Sequence, residues 1–340
     1  MTVLPIAPRI AVLGSGSWGT ALALSLARNG RTVTLWSHSK EAARTILAAR
    51  ENRKYLPGHP LPTAIHITSD DTALASADIL VTVVPSEFLR ATITRIRPHL
   101  REGHILLSAT KGIENGGFLR MSQVIAAVLN ESGLTLPTGV LSGPSFAQEV
   151  AAGQPTAITV AFETHAYAAL VQREFASESL RLYTSADLIG VELGGSLKNV
   201  IAIAAGISSG VGLGSNSMAG LITRGIAEMT RLAVSCGGRR ETLAGLAGLG
   251  DLVLTCTGSL SRNRTVGVEL GKGRKLPEIL ASLGGKVAEG VHTTRAALGL
   301  ARQQRVEMPI TEQMELILDH GKDPREAIKD LMLRPGKHEH

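Results

Sequence analysis

Cysteine is nearly absent from this sequence: Cys236 and Cys256 are the only two in 340 residues. Two cysteines build neither a disulfide framework nor a cysteine-based zinc site, so a reducing cytoplasm is the default compartment and no metal centre is expected. Aromatic residues are scarce as well, at 3%. A protein that grips single-stranded nucleic acid needs aromatic platforms among its basic residues, so no nucleic-acid partner is expected. The net charge of +6 is modest for the length and suits a small anionic ligand or plain solubility. A signal-peptide apolar core is lacking too, because the apolar stretch starting at Ile10 meets Gly14 almost at once.

Uncharged runs long enough to cross a bilayer are also missing, with one exception. No charged residue stands between Lys198 and Arg224, a span longer than the roughly 20 residues that cross a bilayer. Glycine and serine gather inside it, at Gly206, Ser208, Ser209, Gly210, Gly212, Gly214, Ser215 and Ser217. That cluster predicts a turn between two shorter helices of a soluble core, not a membrane anchor.

What the chain has in abundance is apolar runs alternating with helical patterns. With 44% hydrophobic residues it can build about two domains with ample cores. IAVLGSGSWGTALALSLARNG, from Ile10, reads as strand, glycine turn and helix. Further strands are expected at TVTLW (32–36), ADILVTVVP (77–85), HILLSATKG (104–112), TGVLSGPS (138–145) and TAITVAF (156–162). Continuous Val/Ile/Leu runs of this kind are buried on both faces, which implies parallel βαβ units. After about residue 190 the period becomes helical, over Leu193–Ile207, Met218–Ala233, Arg239–Ala247, Pro277–Ala281, Thr293–Arg302 and Thr311–Leu318. The expected class is α/β: a Rossmann-type doubly wound sheet over 1–190, then an all-α substrate-binding and catalytic domain over 191–340.

Ligands of such sheets bind outside the carboxyl ends of the strands. Gly14, Gly16 and Gly19 form G-x-G-x-x-G after a strand and at the start of a helix. Gly14 permits the tight turn, Gly16 lets a pyrophosphate approach and Gly19 allows close helix packing, so a dinucleotide cofactor is expected. Ser17 and Trp18 sit in that loop. At the end of the second strand, LWSHSK offers Ser37, His38 and Lys40 where an NAD-selective site has an acid. Nothing there repels a 2′-phosphate, so either NADP or NAD is accepted; the lesser alternative for His38 itself is an ordinary surface histidine.

Lys198 shares a helical face with Val191, Gly194, Gly195, Ile201, Ala202 and Ala205. Two readings stay open: an inward lysine with a depressed pKa, placed for proton transfer, or a helix-start lysine snorkelling to water. Asp251, a lone carboxylate in GLAGLGDLVLTC, either partners Lys198 or caps the helix that follows. In SLSRNRTVG, Ser261, Arg262 and Asn263 suit a phosphate fork or an ordinary polar turn. KVAEGVHTT contributes Val287 and Glu289, unremarkable alone.

At this point the sequence resembles the bacterial type of NAD(P)-dependent sn-glycerol-3-phosphate dehydrogenase, from about Ile10 to about Met332. The carriers are LGSGSWGTALA, NRKYLPG, ATKGIE, LSGPSFAQEVA, SLKNVIAIAAGI, GLAGLGDLVLTC, SRNRTVG and VAEGV. The resemblance implies reversible reduction of dihydroxyacetone phosphate to sn-glycerol 3-phosphate with NAD(P)H, feeding phospholipid biosynthesis, in a cytoplasmic homodimer. It implies cofactor contacts at Ser17, Trp18, His38, Tyr55, Ala147, Val287 and Glu289. Substrate contacts fall on Gly143, Ser145, Asp251, Ser261 and Asn263, with Lys111 and Arg262 near both ligands. Lys198 matches the catalytic proton-transfer lysine, with Asp251 and Lys111 beside it. The tail after Arg334, PGKHEH, lies outside the pattern and is expected to be disordered. Two rival readings are a dehydrogenase of another small hydroxy compound and a non-enzymatic dinucleotide sensor on the same scaffold. The SRN segment speaks against the first, and retention of Lys111, Lys198 and Asp251 speaks against the second.

Overall fold

The computed structural model describes residues 8–284, 287–336, 338 and 339. The first part of the chain forms strands β1 (Ile10–Leu13), β2 (Val33–Trp36), β3 (Ile65–Thr68), β4 (Ile79–Thr82), β5 (Ile105–Ser108), β6 (Thr138–Ser142), β7 (Thr156–Ala161) and β8 (Leu180–Ser185). They make one 8-stranded sheet in the order β3-β2-β1-β4-β5-β6-β7-β8. Its inner strands IAVL, ILVT and ILLS are buried along their whole length, as expected where helices cover both faces. Between the strands run α1 (Ser17–Arg28), α2 (Lys40–Ala49), α3 (Ser86–Ile96), α4 (Met121–Asn130), α5 (Ala147–Ala151) and α6 (His165–Phe175). Leu22, Leu26, Ile46 and Phe175 close one face of the sheet, while Trp36, Leu89, Ile93 and Ile125 close the other. The strand order reverses at β1 and β4, so the carboxyl ends of these neighbours flank the crevice in which such sheets bind ligands.

The parallel expectation needs one correction. β6 and β7 pair antiparallel, Val140 opposite Ala161. The connection between them contains only the short α5, which packs along α1 and does not span the sheet. A parallel return requires a full crossover. β7 and β8 are again parallel to each other.

The second part is helical: α7 (Leu188–Gly210), α8 (Ser215–Ser235), α9 (Arg240–Ala244), α10 (Asp251–Thr257), α11 (Arg262–Gly271), α12 (Leu276–Ser282), α13 (Glu289–Gln304), α14 (Pro309–His320) and α15 (Pro324–Met332). The uncharged span after Lys198 does break into two helices, α7 and α8, at residues 211–214. α7 is long and apolar enough to cross a membrane, yet 89% of its most apolar window is buried inside the protein. The Asp187 carboxylate starts it by accepting from the Gly190 amide at 2.8 Å. α8, α10, α11 and α13 all pack against it, making α7 the axis of the second core, which contains Leu197, Ile201, Met229, Val266 and Leu298. The single helix expected over Arg239–Ala247 is instead α9 followed by a π-helical turn, Leu246–Gly250. The tail expected to be disordered includes Lys337 and His340, which lie outside the described residues.

Candidate active site

The glycine turn after β1 is built for close approach. Gly14 has φ +127, and a Cβ there would stand 2.8 Å from the Val83 carbonyl oxygen; one on Gly19 would be 1.9 Å from the Gly14 oxygen. Gly16 has nothing within 4 Å of the place its Cβ would take. The tight turn and helix contact therefore need glycine at 14 and 19, whereas the edge at Gly16 stays bare where a pyrophosphate would lie, against the positive end of α1. The residues present fit a dinucleotide. Ser17 and Trp18 belong to the first turn of α1, not to the loop. Trp18 is half-buried against the core under that helix.

The NRKYLPG segment closes over this turn. The Ser17 hydroxyl donates to the Tyr55 carbonyl at 2.7 Å, and the Asn52 amide donates to the Ser15 carbonyl and the Thr20 hydroxyl, each at 2.8 Å. Tyr55 itself is half-buried. Beyond β2, Ser37 is buried with its hydroxyl accepting from Ser15 at 2.9 Å, while His38 is exposed. Ala147 opens α5 and Val287 immediately precedes Ala288 and α13; both are half-buried.

Opposite the glycine turn lies a compact charged cluster. Lys111 follows β5 and Gly143 follows β6, so both stand at the carboxyl edge of the sheet that also carries Gly14. Lys198 comes from α7 and Asp251 from α10. Asp251, 1% exposed, receives Lys198 Nζ on Oδ1 at 2.5 Å and Lys111 Nζ on Oδ2 at 2.6 Å. Lys198 also donates to the Thr255 hydroxyl at 2.6 Å, and Lys111 to the Gly143 carbonyl at 3.3 Å. The Ser145 hydroxyl donates to that same carbonyl at 3.0 Å. Lys198 thus points inward and does not snorkel to water: it is 7% exposed and ion-paired. Gly195 makes room, since a Cβ there would meet the Ser142 hydroxyl at 2.3 Å.

Burial lowers the Lys198 ammonium to about 8, with the Lys111 charge adding to that effect and the Asp251 carboxylate opposing it. Asp251 moves the other way from what burial alone would do: the two ammonium groups outweigh desolvation and hold it below the ordinary carboxylate range. Glu289, half-buried at the start of α13, is pushed up to about 7 by desolvation, against the pull of Arg262, Lys111, Lys198 and the Ser86 amide. Those groups, drawn from both parts of the chain, gather near Glu289.

The SRN segment is not a loop but the start of α11. Ser261 caps that helix, its hydroxyl accepting from the Arg264 amide at 3.2 Å. Arg262 is exposed, open to a ligand. Asn263 is buried: its Nδ2 donates to Asn199 Oδ1 at 3.0 Å and its Oδ1 accepts from the Gly290 amide at 2.9 Å, which leaves one amide hydrogen for a ligand. This chain of amides joins the neighbours of Lys198, Arg262 and Glu289. Asn52, Asn199 and Thr255 are not among the residues singled out from sequence. Thr255 carried the one available signal, its place one helical turn after Asp251.

Comparison with known proteins agrees with this arrangement. A family model described as NAD-dependent glycerol-3-phosphate dehydrogenase N-terminus matches residues 9–168, and its C-terminus counterpart matches residues 187–329. A relative in Acidobacterium capsulatum, named glycerol-3-phosphate dehydrogenase (NAD(P)+), is 60% identical over 336 residues, covering 97% of this chain and 99% of its own. One of the same name in Koribacter versatilis is 55% identical, covering 96% of this chain and 97% of its own. The crystal structure of glycerol-3-phosphate dehydrogenase from Coxiella burnetii superposes with a TM-score of 0.93 at 42% identity, over 97% of this chain and 100% of that one. Sheet, helical part and cleft are therefore those of an inherited enzyme architecture, and the chain belongs to the NAD-dependent glycerol-3-phosphate dehydrogenase family.

Proposed function

We propose that this protein interconverts dihydroxyacetone phosphate and sn-glycerol 3-phosphate using NADPH or NADH, supplying a glycerophosphate for lipid synthesis. The observation that carries the reading is Asp251 shared by two lysines at the mouth of a glycine-turn cleft. When bound, the reduced nicotinamide supplies the hydride that the carbonyl carbon takes up. The chain's own residues handle the oxygen and the phosphate. Lys198, with a pKa of about 8, gives a proton to the carbonyl oxygen as charge grows there, and takes one back in the reverse direction. Asp251 and Thr255 hold its ammonium in line. Lys111 adds a second positive charge beside the same oxygen. Arg262 and the free amide hydrogen of Asn263 take the phosphate, at the positive end of α11.

Gly14, Gly16, Ser17, Trp18 and Gly19 hold the pyrophosphate end of the coenzyme, with His38 and Tyr55 towards the ribose. Ala147, Val287 and Glu289 line its passage to the substrate, and Gly143, Ser145 and Ser261 shape the floor under the phosphate and carbonyl. The two unpaired cysteines and the burial of α7 support a soluble cytoplasmic protein, and family membership supports a homodimer, which light scattering of the purified chain tests. The decisive experiment mixes the protein with dihydroxyacetone phosphate and each reduced coenzyme and follows reduced-nicotinamide absorbance. Loss of absorbance is expected with both; no loss with either would sink the assignment.

A further inference from the structure

The end of β2 carries no acid in sequence, yet folding brings one there. Asp71, between β3 and β4, lies against Trp36: its Oδ1 accepts from Trp36 Nε1 at 3.0 Å and from Arg95 Nη2 at 2.8 Å, and its Oδ2 accepts from Arg95 Nε at 2.7 Å. The Arg95 guanidinium comes from the last turn of α3 and lies over the Trp36 ring, 5.0 Å from its centroid. Its remaining nitrogen, Nη1, donates to the His38 carbonyl at 3.1 Å. One arginine therefore does two things at the turn where the coenzyme ribose would sit. It cancels the carboxylate, and it fixes the backbone of the Ser37–His38 turn.

The other charges facing this turn are few. Lys40 and His38 are exposed. Asp70 is held below the ordinary carboxylate range by the Thr72 amide, with His99 and Lys40 close enough to assist. Asp71, by contrast, is paired directly with Arg95. Without Arg95 the Asp71 carboxylate would be left held by Trp36 alone, and its field would reach a ribose 2′-phosphate at this turn.

We propose that Arg95 is a positioning residue for coenzyme selectivity, which lets the turn after β2 accept a 2′-phosphate by neutralising Asp71. The inference rests on the coenzyme reading of the glycine-turn cleft. The Arg95 side chain is 41% exposed and that of Asp71 21%, so solvent screens part of the pair's contribution to stability.

The test measures dissociation constants of NADPH, NADH and 2′,5′-ADP, together with steady-state constants, for the wild-type protein and for Arg95→Met, Asp71→Asn and the double variant. Arg95→Met should weaken NADPH and 2′,5′-ADP by about tenfold or more, while NADH stays within about twofold and turnover at saturation is unchanged. Asp71→Asn should bind NADPH at least as well as wild type. The double variant should regain NADPH binding to within about threefold of wild type, because the repelling carboxylate is gone. Equal weakening of both coenzymes in Arg95→Met, no weakening at all, or a double variant as weak as the single one would overturn the proposal. A wild-type protein that binds neither coenzyme would overturn the coenzyme reading as well, so the two failures are separable.

Discussion

The two sides of the cleft are made of different material. The glycine-turn side is mostly backbone: a bare edge at Gly16, the free amides of α1, and neutral Ser15, Ser37 and Asn52 tying the turn to its neighbours. The opposite side is ionised side chains, Lys111, Lys198, Asp251 and Glu289, partly or wholly withdrawn from water. Backbone dipoles hold a ligand without titrating and keep their function whatever side chains surround them. Buried charges cost folding free energy but gain unusual pKa values, and here a lysine comes down to about 8 while a glutamate rises to about 7. Groups converging on neutral pH from opposite directions are suited to proton transfer. In the proposed reaction one side binds and the other reacts, so each can be disturbed separately.

The sharpest break in that comparison is Lys198→Met. Turnover should fall by at least ~10²-fold, the lower range for losing a general acid. Coenzyme binding should persist, read as a change in Trp18 emission with Trp36 as background. The fold should survive. Lys198 is depressed in the folded state, so below about pH 8 its charge opposes folding, and methionine removes that cost. Asp251 keeps Lys111 as a partner at 2.6 Å. Turnover near wild type would show that the lysine only fills space.

Arg262→Ala comes next. Arg262 is exposed without ligand, so in its proposed role the cost at the substrate is that of charge-assisted hydrogen bonds to the phosphate, about 1.5–3 kcal/mol or roughly 10–150-fold. The Michaelis constant for dihydroxyacetone phosphate should rise by that factor and that for coenzyme far less. An unchanged substrate constant would return α11 to a merely structural role.

The same division decides what was legible in the sequence. Inner strands such as IAVL and ILLS announce themselves because every residue is buried. β3 and β8 do not, because IHIT and LRLYTS are edge strands whose exposed His66, Arg181 and Tyr183 dilute the apolar signal. Strand direction has no composition signature, so the reversal at β7 could not be read. α11 was hidden for another reason. Its Gly267 and Gly271 meet Gly206 and Gly210 of α7 backbone to backbone, and such packing shows no apolar periodicity. The glycine turn was fully legible, being local. Lys198 and Asp251 were legible as misplaced charges in apolar runs, but that Lys111 shares the same carboxylate depends on chain crossings 140 residues apart. The Arg95–Asp71 clamp was invisible because neither residue looks out of place alone.

A pH series sharpens the comparison from the reacting side. On the proposed mechanism, reduction of dihydroxyacetone phosphate needs protonated Lys198, so turnover should fall as pH rises past about 8, approaching tenfold per pH unit. Oxidation of sn-glycerol 3-phosphate needs the neutral amine and should instead rise through the same range. Coenzyme dissociation constants should change less across it, because the pyrophosphate is held by the backbone of the glycine turn and Glu289, at about 7, is already mostly ionised there. Parallel loss of reduction and oxidation would point to unfolding or to a different titrating group.

The smallest expected effect tests the binding side. Ser37 stands where an NAD-selective sheet carries its acid, buried and bonded to the Ser15 hydroxyl at 2.9 Å. In Ser37→Asp the new carboxylate can still accept from Ser15, so the turn retains its anchor. A ribose 2′-phosphate would then face a charge at short range, which costs about 1–2 kcal/mol where the phosphate itself stays solvated and corresponds to roughly a tenfold rise in the NADPH Michaelis constant. NADH meets no such repulsion and offers two ribose hydroxyls for the carboxylate to accept from, so its constant should hold or fall. Turnover at saturation should be unchanged for both, because Lys198 and Asp251 sit across the cleft. Steady-state constants for the two coenzymes decide it: a selective loss places the 2′-position at Ser37, and an equal loss means that the side chain at 37 does not face the ribose.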